Sequence, residues 1–171
     1  MSARQVYAVD KDITDRNEAA VICAAVIDVL RPRVGSAEFD VHSDCVDRMP
    51  ESVRVAEQRL EDAVRRRPRT PPDPRMGFVI ARDQAAWWDF ETYASWSIDV
   101  DLRDETGAWL ADFPDSGYAI VVALTDVEAH EVRRRVEQLA ALELLPVIHL
   151  RRRDERRARR RRTVRRWLRL T

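Results

Sequence analysis

From Arg151 to Arg162 the only apolar residue is Ala158. A helix over this segment has no face to bury, and its like charges at i,i+4 oppose it in isolation. Any core must therefore come from residues 1–150, and 151–171 reads as an Arg-rich C-terminal helix or tail. Arginine is a good helix former, which favours the helix. From Thr163 the character changes, and Val164, Trp167, Leu168 and Thr171 form a short stripe at helical spacing. Such a stripe can dock on protein or lipid.

The formal net charge of zero conceals a division. Residues 151–171 hold twelve arginines against Asp154 and Glu155, a net of +10. That leaves 18 of the 30 bases and 28 of the 30 acids for residues 1–150, a net of −10. An acidic body with a basic tail points to a polyanionic partner, or to a tail lying on its own body. Lys11 is the only lysine, so the positive charge is almost all guanidinium. Guanidinium grips phosphate bidentately and sheds water readily.

Within the body, Gln5–Asp10 reads as a strand by alternation. Asp15 followed by Glu18 marks a helix start, and the helix Arg16–Leu30 is apolar nearly all round, as a central core helix is. Phe39–His42 reads as a short strand. Pro50 opens a second helix to Arg66, with an inward stripe of Val53, Ala56, Leu60, Ala63 and Val64. Residues 68–75 contain half of the chain's eight prolines and read as a stiff linker.

Beyond the linker, Met76–Ala81 reads as a strand, and Asp83 caps a short helix carrying Trp87, Trp88 and Phe90. Trp96, Ile98, Val100 and Leu102 alternate with polar residues, as in a half-buried strand. Turns at Asp104–Gly107 and Pro114–Gly117 then give a three-stranded antiparallel meander over about 95–124. Thr125 and Glu128 form a capping box for a helix to about Leu142. Pro146 breaks the pattern, and Val147–Leu150 reads as a last short strand. The expected fold is α+β, with helices packed on the meander and an N-terminal helical lobe. The expected segments are 1–67 (strand–helix–helix), 68–75 (linker), 76–150 (sheet and helix) and 151–171 (basic tail).

The absences narrow the chemistry. Four glycines, none closely spaced, leave no G-x-G-x-x-G or Walker loop, and there is no C-x-x-C or H-E-x-x-H. Cys23 and Cys45 make neither a disulfide scaffold nor a zinc ribbon. No run of apolar residues is long enough to cross a membrane, and the N-terminus carries no signal pattern. These features suggest a reducing, cytoplasmic setting, no cofactor and a non-enzymatic protein.

Several residues merit a weighing of chemistry against packing. Trp87 and Trp88 point about 100° apart on a helix, which leaves room for one of them to be exposed as a partner surface, although packing in the core fits the aromatic cluster better. Asp40, His42 and Asp44 would share a strand face and are the weak candidates for a divalent metal, and thus for a metal-dependent enzyme. A solvated loop fits that segment better. Asp99, Asp101, Asp104 and Glu105 read as the wet face and turn of a strand, and as a carboxylate surface able to mimic phosphates toward a basic protein. An acidic inhibitor of the immunity or antitoxin kind is the alternative built on them.

The leading expectation is a binding protein whose tail contacts nucleic acid or another acidic surface. The contacts would be Arg151, Arg152, Arg153, Arg156, Arg157, Arg159, Arg160, Arg161 and Arg162, with Trp167 available to a partner surface.

Overall fold

The structure, a computed structural model, describes residues 3–11, 13–41, 46–66 and 76–167, with side chains through Arg157. The described elements are β1 (Gln5–Val9), α1 (Arg16–Leu30), β2 (Val34–Asp40), α2 (Glu51–Arg66), β3 (Met76–Ile80), α3 (Gln84–Tyr93), β4 (Val100–Asp104), β5 (Trp109–Asp112), β6 (Val121–Leu124), α4 (Asp126–Val136), β7 (Leu142–Leu144) and α5 (Leu145–Trp167).

The helices form where local signals place them. Asp15 accepts hydrogen bonds from the Asn17 and Glu18 amides and starts α1. Asp83 accepts from the Ala86 amide and starts α3. Thr125 and Glu128 cap α4 reciprocally, with Glu128 Oε2 accepting from the Thr125 amide at 2.8 Å. On α1, Ala19, Ile22, Cys23, Val26 and Leu30 are buried, while Val21 is exposed. On α2 the buried stripe is Val53, Ala56 and Leu60; Ala63 is exposed and Val64 half-buried.

All seven strands join one antiparallel sheet in the order β3-β2-β4-β5-β6-β1-β7. The fold is α+β, but it is not a three-stranded meander beside an N-terminal helical lobe. Strands β4, β5 and β6 do pair in chain order, yet they form only the middle of the sheet. Strands β2 and β3 extend it on one side, β1 and β7 on the other. Three strands alone would leave β4 and β6 as open edges, and the N-terminal strands close both. Strand β2 lies between β3 and β4, and β1 between β6 and β7, so residues from both sides of the Pro-rich stretch share one sheet. The expected linker at 68–75 lies outside the described residues.

The register aligns one row of side chains across the whole sheet: Val79, Ala37, Leu102, Ala111, Val122, Tyr7 and Leu144. These residues and the buried faces of α1, α2, α3 and α4 form a single apolar core. Helices α1 and α4 pack together, as do α2 and α3. We call this the inward face. Phe39 bridges it to α3, its ring 5.2 Å from that of Phe90, which lies 4.9 Å from Trp87.

Two glycines are required by position. At Gly35, in the β2 bulge, a Cβ would come within 2.7 Å of the Glu105 backbone at the β4–β5 hairpin tip. Gly117 has φ +74°, and a Cβ there would meet Cys23 Sγ at 2.6 Å. It ends a run of three left-handed residues, after Asp115 and Ser116.

Candidate polyanion interface

Helix α5 begins directly after β7, and Pro146 sits in its first turn. Proline is tolerated there because that amide has no partner within the helix. The expected strand Val147–Leu150 is therefore helical, with Pro146 at its start rather than breaking it. His149 is exposed on this helix and His130 is exposed on α4.

The first two turns anchor α5 to the sheet. Ile148 is buried, as are Ala8 of β1 and Ala123 of β6, and all three stand outside the main core. Register places Ala8 and Ala123 on the face opposite α1–α4. Arg151 pairs with Asp10 and with Glu143 at 3.0 Å, and Arg152 reaches Asp10 at 3.4 Å. Glu143 is the β7 residue on that same outward face. Helix α5 thus rests on β1 and β7 from the side that the other helices leave open.

Beyond Arg152 the burial stops. Arg153, Arg156 and Arg157 are exposed, together with Asp154 and Glu155, and the backbone remains helical to Trp167. Of the sequence-expected contacts, Arg151 and Arg152 are committed to carboxylates of the body. Arg153, Arg156 and Arg157 have no ion pair among the described residues. The side chains of Arg159, Arg160, Arg161, Arg162 and Trp167 lie outside the described ones. From Arg153 to Trp167 the helix spans about 22 Å at 1.5 Å per residue. What this arrangement offers is a helix held at its first turns, with the guanidinium groups of Arg153, Arg156 and Arg157 exposed beyond them.

The outward face of the sheet carries the opposite charge. Register aligns Phe78, Glu38, Asp101, Asp112, Val121, Ala8 and Glu143 in one row. Glu38, Asp101 and Asp112 stand on the neighbouring strands β2, β4 and β5. Burial, then the neighbouring Asp99 charge and the hydrogen bond shared with Asp99, push the Asp112 carboxyl up to about 6. Burial also raises Asp101, although the Arg103 guanidinium at 2.8 Å opposes it. Asp101 Oδ1 is buried with no hydrogen-bond partner.

The sequence-expected carboxylate surface is therefore divided. Asp99 and Asp101 belong to this row with Asp112 and Glu38. Asp104 instead folds into the hairpin turn, accepting from the Thr106 and Ala108 amides at 2.8 and 3.0 Å. Glu105 pairs with Arg82 at 3.2 Å. Counting across the hairpin from its turn would set Ala111 opposite Asp101; the register shift between Leu102 and Arg103 brings Asp112 there instead. No local signal marks Glu38, whose place depends on a pairing over sixty residues away in sequence.

The aromatic cluster is mostly structural. Trp87 is buried, donates through Nε1 to Glu91 at 2.6 Å and lies under the Arg31 guanidinium. Trp88 is 70% exposed and is the member free to meet a partner. Trp96 is buried in a 3-10 turn, Ala94–Trp96, not in a strand. The Arg16 guanidinium lies 4.9 Å from the Trp96 ring centre and 5.0 Å from that of Tyr118.

Of the metal candidates, Asp40 ends β2, while His42 and Asp44 lie outside the described residues. Among the described residues no group of three His, Cys, Asp or Glu side chains has a metal-holding geometry. No described helix is long and apolar enough to cross a membrane. Comparison of the chain with protein families, with characterised proteins and with solved structures found no match.

Proposed function

We propose that this chain is a non-enzymatic binding protein that holds nucleic acid by its phosphates through helix α5. The observation that carries this reading is the helix itself: anchored for two turns, it continues with Arg153, Arg156 and Arg157 exposed and without an ion pair among the described residues. Arginine neutralises phosphates and releases their counterions, which gives affinity without base preference. A helix is about the width that a duplex major groove admits. The acidic body repels such a ligand, so α5 is the element that approaches it.

The test is a fluorescence-anisotropy titration of the full chain with a duplex and with a single strand at low salt. A variant replacing Arg153, Arg156, Arg157, Arg159, Arg160, Arg161 and Arg162 by glutamine is run in parallel. The expected result is tight binding by the parent and a loss of about a hundredfold or more in the variant. Equal affinity in the two proteins, or no binding by the parent, removes the proposal.

A further inference from the structure

The outward row is costly as it stands. Like charges placed directly opposite on neighbouring strands repel, and Glu38, Asp101 and Asp112 are three such residues in line. Burial first, and the neighbouring acids after it, raise the Asp101 and Asp112 carboxyls, against the Arg103 guanidinium at Asp101. Such a row raises the free energy of the isolated fold and is relieved when a cation lies on it.

The chain's own α5 is in the wrong place to do this. It touches β1 and β7, and β6 and β1 separate Asp112 from Glu143, where its arginines begin to pair. From Arg153 to Arg157 its side chains are exposed, and the helix continues unbroken to Trp167. No ion pair joins a described α5 side chain to Glu38, Asp101 or Asp112.

A second copy supplies what is missing. Each chain carries +10 on residues 151–171 and −10 on the rest, so two copies match charge for charge while neither repels the other as a whole. The row from Asp112 to Glu38 crosses two strand spacings, about 10 Å, which is the diameter of one helix. Half-buried Val121 flanks it and offers apolar surface to arginine stems. We infer that the row Glu38–Asp101–Asp112, with Asp99 beside it, is the docking surface for helix α5 of a second copy. Both this inference and the nucleic-acid reading use α5, but the test below contains no nucleic acid, so the two fail separately.

The test is sedimentation velocity on the full chain at low and at high salt. One variant neutralises the row (Glu38→Gln, Asp101→Asn, Asp112→Asn), and a second reverses the helix (Arg153→Glu, Arg156→Glu, Arg157→Glu). These residues lie outside the apolar core, and circular dichroism checks that both variants fold. The parent associates at low salt and is monomeric at high salt, and each variant alone is monomeric at both. An equimolar mixture of the two variants associates again, because the intact helix of one meets the intact row of the other. A monomeric parent at low salt overturns the inference. So does association that survives in the row variant, or a mixture that stays monomeric.

Discussion

The two faces of one sheet carry opposite kinds of row. Inward, Val79, Ala37, Leu102, Ala111, Val122, Tyr7 and Leu144 meet four helices in a continuous apolar core. Outward, one residue along each strand, the row is Phe78, Glu38, Asp101, Asp112, Val121, Ala8 and Glu143. There α5 is the helix resting on the β1–β7 side. Alternation along a strand makes such a division available at no topological cost. The inward row serves stability. The outward row gives up stability to hold charge, as a binding surface does.

The comparison is broken most severely by carving into the inward row. Leu102→Ala should lose about 2–5 kcal/mol, because its neighbours cannot collapse into the cavity. Urea unfolding measures the loss. A loss under about 1 kcal/mol would mean that the inward row is not the core.

A smaller effect belongs to the anchor of α5. Ile148→Ala removes the buried apolar side chain that seats the helix, with an expected loss of about 2 kcal/mol, at the low end for such truncations. Amide hydrogen exchange should quicken in the first turns of α5 and leave the inward strands unchanged. Equal quickening in both would place Ile148 in the main core.

The outward row is sharpened by pH. The Asp112 carboxyl is raised in the fold from an ordinary value near 3.8 to about 6. The folded chain then holds more protons than the unfolded chain between those values. Stability from this group is present at low pH and is lost as pH rises through about 6. Asp112→Asn should therefore raise Tm at pH 8 and leave it nearly unchanged at pH 4. An equal shift at both pH values would mean that Asp112 does not carry the row's repulsion.

Local chemistry was legible in the sequence and long-range pairing was not. Asp15, Asp83 and the Thr125–Glu128 pair each marked a helix start correctly, because a cap involves only neighbouring residues. The Gly107 turn was legible for the same reason. Strand β2 was glimpsed only from Phe39, since Gly35 and Ser36 interrupt its alternation at the bulge. Its position between β3 and β4 depends on partners at Met76–Ile80 and Val100–Asp104. Val147–Leu150 reads as a strand because three apolar residues around His149 after a proline fit a short strand as well as a helix start. The basic end of α5 could be named from composition alone. The acidic row could not, because it assembles Glu38, Asp101 and Asp112 from three strands.

The most direct measurement is the salt dependence of duplex binding by the full chain. For about six phosphates neutralised by α5, the logarithm of the association constant should fall against the logarithm of salt with a slope of about −5. Affinity should then drop about a thousandfold between about 50 and 200 mM salt, and the glutamine variant of α5 should lose most of that slope. A slope near zero, or the same slope in both proteins, would contradict the assignment of α5 as the phosphate-binding arm.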